Sequence, residues 1–201
     1  MALVSSRLKK QFEGWFATRV GVLTSLGMTP NTITLMGLIA SLAAAGLYLN
    51  WRMSKLMLPS AAALILLSGF FDALDGVLAR SLGRTTAFGG FLDSVSDRYS
   101  DVVVLVAIVV AGLCNVAWGL AAVVGSLMVS YTRARAEAMS VGMAAVGLAE
   151  RAERMLILAT ATFVAFFWMD ALGWGMIILA VLSHLTVIQR SVHFYRETNK
   201  R

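Results

Sequence analysis

The sequence predicts an all-α integral membrane protein, a six-helix transmembrane bundle preceded by an amphipathic helix lying in the interface. Three observations predict it. Of the 201 residues, 59% are hydrophobic and 14% charged, with a mean hydropathy of +0.78, whereas a soluble domain is about half apolar and a quarter charged. Six stretches, approximately 32–50, 57–82, 88–113, 116–139, 154–170 and 172–193, have the length and apolarity of a bilayer-crossing helix. The basic residues fall mainly on one side of the topology these stretches define. The same composition excludes disorder, and 2 prolines with 17 glycines exclude a low-complexity chain.

Taken in order, Leu8, Phe12, Trp15, Phe16 and Leu23 recur at helical spacing with Lys9, Lys10, Glu13 and Arg19 between them. That pattern makes residues 1–28 a juxtamembrane amphipathic helix, too charged for a cleavable leader. Thr29-Pro30-Asn31 ends it and opens the bundle, residues 29–201. With the N-terminus inside, fourteen of the 17 basic residues fall on the cytoplasmic side. They are Arg7, Lys9, Lys10, Arg19, Arg80, Arg84, Arg133, Arg135, Arg151, Arg154, Arg190, Arg196, Lys200 and Arg201. Arg52 and Lys55 lie on the opposite face, and Arg98 lies within the third span. Both termini, and the polar clusters at the span ends, are therefore expected at the cytoplasmic surface of a multi-pass cell-membrane protein. The net charge of +6 then reflects topology, and no nucleic-acid partner is expected. Trp51, Trp118, Trp168 and Trp174 cluster at span ends as interface aromatics do. The small-residue runs Ala43-Ala44-Ala45-Gly46 and Gly119-Leu120-Ala121-Ala122 suit close helix contacts, within or between protomers. The lone Cys114 has no intrachain disulfide partner and no metal-ligand spacing.

Five of the 11 acidic residues, Asp72, Asp75, Asp93, Asp97 and Asp101, lie inside the second and third spans. A carboxylate there costs several kcal/mol unless it meets water, a cation or a partner. At about 100° per residue, Asp72, Asp75, Gly76 and Ala79 share one stripe of the second helix, and Gly89, Asp93 and Asp97 share one stripe of the third. The short connection 81–86 makes these helices antiparallel neighbours, so four carboxylates converge. All-oxygen ligands suit hard cations such as Mg²⁺, Mn²⁺ or Ca²⁺, and pairs of such ions serve phosphoryl transfer. Gly76 and Gly89 leave room for a bulky ligand. The competing readings are salt bridges to Arg80, Arg84 and Arg98, a cation pathway, or glycines that serve helix packing alone.

The run Asp72-Ala-Leu-Asp75-Gly76-Val-Leu-Ala79-Arg80, eight residues, Gly89, three residues, Asp93, three residues, Asp97 resembles the signature of the CDP-alcohol phosphotransferases at each of its eight fixed positions. The resemblance implies a membrane enzyme, a homodimer of six-helix protomers, that moves a phosphate-bearing lipid from a CDP-lipid to an alcohol and releases CMP. It implies that Asp72, Asp75, Asp93 and Asp97 hold two divalent cations, Mg²⁺ or Mn²⁺, against the pyrophosphate. Asp97 would also be the base that takes the acceptor's proton. Gly76, Ala79, Arg80, Thr86 and Gly89 would line the CDP-lipid site, joined by Thr29-Pro30-Asn31-Thr32. Thr29 and Thr32 equally suit a plain helix cap.

The acceptor must be read elsewhere. Ser130-Tyr131-Thr132-Arg133-Ala134-Arg135-Ala136-Glu137-Ala138, Glu150-Arg151-Ala152-Glu153-Arg154 and Arg190 ring the same face. Several arginines beside a pyrophosphate site suggest a second anionic group, since Arg grips phosphate through paired donors. The pattern resembles the branch that makes phosphatidylinositol phosphate, or its archaeal ether-lipid counterpart, from inositol 1-phosphate. Bacterial members typically have lysine at the position of Arg133. Arg133, Arg151 and Arg190 are the expected ligands of the acceptor phosphate, with Arg154 and Arg135 in support. The expected reaction transfers a phosphatidyl or archaetidyl group from CDP-diacylglycerol or CDP-archaeol to inositol 1-phosphate. The alternatives are glycerol 3-phosphate as acceptor and, from another class, a membrane cation transporter. Asp101, outside the signature, is expected to pair with an arginine, and His184 and His193 to be satisfied or interfacial.

Overall fold

A computed structural model describes residues 27–83 and 85–199, and the expected interfacial helix of residues 1–28 falls almost entirely outside them. The described residues form six α-helices and no strand: α1 Pro30–Leu49, α2 Met57–Ser81, α3 Ala87–Val110, α4 Val116–Ala138, α5 Arg151–Ala165 and α6 Asp170–Thr198. A 3₁₀ turn, Trp51–Met53, follows α1. Local chemistry sets three of the starts. Thr29 accepts the Thr32 N–H with Pro30 at the first helical position, Thr86 accepts the Gly89 N–H, and Asn115 accepts the Ala117 N–H. Each satisfies an N–H that the helix itself leaves unpaired.

Five helices begin and end within a few residues of the expected spans, counting the extension of α6 to Thr198. The exception is α5. It starts at Arg151, so the charged Glu-Arg-x-Glu-Arg segment is already at the helix start, and it stops at Ala165 after 15 residues. At 1.5 Å per residue that is about 22 Å, short of the ~30 Å hydrocarbon core. Phe166 and Phe167 then pack edge to face at 5.0 Å as the chain turns. Four helices, α1, α2, α4 and α6, are long and apolar enough to cross a membrane. The other two depart from that pattern for different reasons: α3 carries charge, at Asp93, Asp97, Arg98 and Asp101, while α5, which opens with Arg151, Glu153 and Arg154, is only 15 residues long.

In the bundle α1 packs on α2 and α3, α3 on α4, α4 on α6, and α5 on α2 and α6. The core runs through Ala44, Tyr48, Leu58, Ile65, Ile108, Leu172 and Met176. Small residues allow the close approach. A Cβ on Gly175 would stand 2.4 Å from the Ala161 Cβ, and one on Gly125 would stand 2.8 Å from the Ser183 Cβ. Of the small-residue runs, Ala44, Ala45, Gly119 and Ala122 are buried within the protomer. Polar pins cross the apolar interior: Tyr48 shares a hydrogen bond with Thr162, and Ser41 donates to Ser68 at 2.8 Å. Each is worth about 0.6 kcal/mol in a membrane interior, so they select register more than they stabilise.

Short connections make successive helices antiparallel. They bring the starts of α1, α3 and α5 and the ends of α2, α4 and α6 to one end of the bundle. The loop 139–150 closes that end, with Ser140 and Ala145 at positive φ and Val141 and Met143 buried beside Ala136 and Phe194. Trp118, Trp168 and Trp174 are exposed at the other end, where Trp51 donates to the Ala111 carbonyl.

Candidate active site

Asp72 and Asp75 on α2 and Asp93 on α3 each present a carboxylate oxygen within 4.8 Å of the others. Asp75 is buried and accepts from the Thr34 hydroxyl across the α1–α2 contact. Asp93 Oδ1 is buried with no hydrogen-bond partner. Three carboxylates so close repel one another, and an orphaned buried oxygen among them is costly. A divalent cation with all-oxygen ligands fits this donor set, since it would compensate the charge and occupy the unmet lone pair.

Asp97, one turn beyond Asp93, lies outside that tight trio and faces two ways. It lines the small carboxylate cleft with Asp72, Asp75 and Asp93, and also a neighbouring cavity of about 320 Å³. Arg151 stands between the carboxylates: its Nη1 is 2.7 Å from Asp72 Oδ2 and 3.0 Å from Asp97 Oδ1. Its Nε is 3.5 Å from Asp101 Oδ1. Neither Nη1 nor Nε makes an aligned hydrogen bond, so charge rather than directed bonding holds Arg151 there.

On one side of the carboxylates, Pro30, Asn31, Thr34, Gly76, Ala79, Arg80, Thr86 and Gly89 line a pocket of about 180 Å³. The glycines shape it. A Cβ on Gly76 would lie 3.3 Å from Arg80 Nη1, and one on Gly89 would lie 3.0 Å from Thr86 Oγ1 and 3.2 Å from Asn31 Oδ1. Thr29 and Thr32 are at the helix cap, their hydroxyls 2.8 Å apart, and do not line this pocket. Thr34 and Thr85 do, and neither was singled out from the sequence. Thr34 was legible in principle, since it follows Asn31 by three residues and so shares its helix face.

On the other side, the 320 Å³ cavity is lined by Arg98, Arg133, Arg151, Arg154 and Arg190 with Glu137 and Glu150. Arg133 is on the exposed rim, paired with Glu137 at 2.9 Å. Arg190 is buried and donates from Nε to Val146 O at 2.8 Å and from Nη1 to Val129 O. Arg154 is buried too, donating to Asp101 Oδ2 at 2.8 Å and to Ala149 O at 3.2 Å. Arg135 is exposed and outside the cavity wall. Arg98, read from the sequence as a salt-bridge candidate, donates to the Ser94 carbonyl. Asp101 pairs with arginine as expected. His184 and His193 lie at hydrogen-bond distance from the Ala180 and Gly142 carbonyls, at 2.9 and 3.3 Å.

A polytopic helical protein with carboxylates clustered at one end, a glycine-walled pocket on one side and an arginine-lined cavity on the other has the layout of a membrane transferase that handles anionic substrates. Residues 27–188 match the CDP-alcohol phosphatidyltransferase family, and the chain belongs to that family. It is 41% identical over 173 residues to the archaetidylinositol phosphate synthase of Pyrococcus horikoshii, covering 86% of this chain and 87% of that protein. Its fold matches the crystal structure of Mycobacterium tuberculosis phosphatidylinositol phosphate synthase with CDP-DAG bound. The TM-score there is 0.77 at 33% identity, over 89% of this chain and 92% of that one. The same enzyme in complex with manganese and citrate matches at a TM-score of 0.78 and 33% identity, over 89% and 88% of the two chains.

Proposed function

We infer that this chain transfers a phosphatidyl or archaetidyl group from a CDP-lipid, CDP-diacylglycerol or CDP-archaeol, to a hydroxyl of inositol 1-phosphate and releases CMP. The observation that carries the reading is the position of Asp97 at the boundary between the carboxylate cleft and an arginine-lined cavity. Its relatives named as inositol phosphate synthases support this acceptor.

Asp72, Asp75, Asp93 and Asp97 are the residues that would hold two divalent cations, Mg²⁺ or Mn²⁺. Bound there, such cations neutralise the pyrophosphate and stabilise the departing CMP. Pro30, Asn31, Gly76, Ala79, Arg80, Thr86 and Gly89 hold the cytidine diphosphate, with Thr29 and Thr32 setting the turn that presents Asn31. Arg133, Arg151 and Arg190 face the acceptor phosphate, supported by Arg154, while Arg135, outside the cavity wall, is left without the supporting part expected of it. Asp97 takes the proton of the acceptor hydroxyl as that oxygen bonds to the β-phosphorus and the bond to CMP breaks. The catalytic domain is residues 29–201, with the active site and both termini on the cytoplasmic side, where the basic residues collect. The working unit is a homodimer, on family resemblance.

Glycerol 3-phosphate and cation transport are not favoured. A transport path needs neither the glycine-walled pocket nor five arginines in one cavity. The deciding experiment supplies purified protein with labelled CDP-lipid, Mg²⁺ or Mn²⁺, and a panel of acceptors. CMP release that depends on inositol 1-phosphate is the expected result. Release with glycerol 3-phosphate but not inositol 1-phosphate overturns the acceptor, and no release with any acceptor overturns the reaction.

A further inference from the structure

Asp101 lies one turn beyond Asp97 on α3, outside the eight-position signature, yet it is the most connected carboxylate of the site. Its Oδ1 is 3.5 Å from Arg151 Nε. Its Oδ2 accepts from Arg154 Nη2 at 2.8 Å and from the Ser126 hydroxyl at 3.0 Å. One side chain thus ties α3 to α4 and to the start of α5. Arg154 is anchored in turn by its bond to the Ala149 carbonyl, and both members of that ion pair are largely buried.

The geometry points to Asp101 as a positioning residue for acceptor binding, holding Arg151 by its Nε so that the Nη edge is free for the acceptor's phosphate. This rests on the function inferred above. Arg151 has three carboxylate neighbours, Asp72, Asp97 and Asp101. The first two belong to the signature and are occupied when cation and CDP-lipid are bound, which releases Arg151 Nη1 from them. Asp101 is the neighbour that keeps its negative charge for Arg151 in that state. Without it, a guanidinium at the edge of a membrane-embedded cleft would either leave or fall back onto Asp72 and Asp97, in competition with the cation. The Asp101–Arg154–Ala149 chain fixes the carboxylate from behind, and Ser126 fixes it from α4. Arg154 then acts through Asp101 rather than on substrate.

Asp101→Asn keeps the shape and removes the charge. It is expected to raise KM for inositol 1-phosphate roughly tenfold, the size of one lost charge-assisted hydrogen bond, while KM for CDP-lipid stays within about twofold. Calorimetric affinity for inositol 1-phosphate, measured with Mg²⁺ and CDP, which fill the cleft but carry no lipid to transfer, falls in parallel. Ser126→Ala, which removes one bond to the same oxygen, shifts the acceptor KM in the same direction by about two- to threefold. An unchanged acceptor KM and affinity in Asp101→Asn overturns the inference, as do equal rises in both KM values, which mark a purely structural residue. Should Asp101→Asn not accumulate as folded protein, Ser126→Ala decides: a selective acceptor shift supports the role and no shift overturns it. If the unsubstituted protein shows no inositol 1-phosphate-dependent CMP release, the functional reading itself fails. If it does and Asp101→Asn matches it, only the role of Asp101 fails.

Discussion

The base role proposed for Asp97 and the acceptor-binding role proposed for Arg133 can be separated by single substitutions. Asp97→Asn preserves volume and leaves Asp72, Asp75 and Asp93 together, so CDP-lipid binding is expected to survive. Turnover falls about 10²–10⁴-fold, the range of a lost general base. Labelled CDP-lipid binding alongside CMP release checks this, and an active variant removes the base role. Arg133 is on the cavity rim, exposed and paired with Glu137, so Arg133→Ala costs little stability. It should raise KM for inositol 1-phosphate about tenfold with little change for CDP-lipid; equal effects on both would make it structural. The candidate residues on these stripes were readable from spacing because i, i+3 and i+4 share a helix face whatever the helix packs against. The partners of Arg151, Arg154 and Arg190 were not. A positively charged side chain at a span end satisfies the topology rule equally well whether it meets a carboxylate, a carbonyl or substrate. Arg190 and Arg154 turn out to be tied to backbone carbonyls and to Asp101.

At the scale of the helices, the short α5 depends on close packing rather than on its own apolar length. Gly175 on α6 has the Ala161 side chain directly over it, with a prospective Cβ contact of 2.4 Å. Gly175→Leu therefore has to separate α5 from α6, and strain of this kind typically costs 1–3 kcal/mol. A thermal unfolding scan in detergent should show a Tm lowered by several degrees, and because α5 begins at Arg151, the acceptor KM should rise as well. A variant with unchanged Tm would mean that the helices are free to part. Helix α5 runs from Arg151 to Ala165 where the expected span is 154–170, because hydropathy places the charged residues 151–153 before the span and carries it on through the apolar residues after Ala165. Those charges are tolerated in a helix because Arg151 meets carboxylates of α2 and α3 and Arg154 meets one of α3.

For the whole molecule, up-and-down topology gathers six helix ends at one face, so the proposed reaction would have a side, and the cation proposed for its all-oxygen site would be open to competition by chelators. EDTA is expected to abolish CMP release, and excess Mg²⁺ or Mn²⁺ to restore it; turnover that persists in the chelator removes the cation from the reading. In sealed vesicles of known orientation, water-soluble inositol 1-phosphate should support turnover only when supplied to the cytoplasmic face. Turnover from the other face would invert the topology. Membrane class, the six helices of the described residues, the carboxylate stripes and the glycines between them were all determined by sequence alone, because hydropathy and helical period are properties of contiguous residues. Only the tertiary structure decided that three aspartates form a tight trio while Asp97 borders the arginine cavity, that Thr34 supports Asp75, and that Asp101 links α3, α4 and α5. Those facts depend on how far each helix is rotated and slid against its neighbours. Small residues such as Gly175 and Gly125 set that packing through contacts between segments far apart in the chain, which no local pattern records.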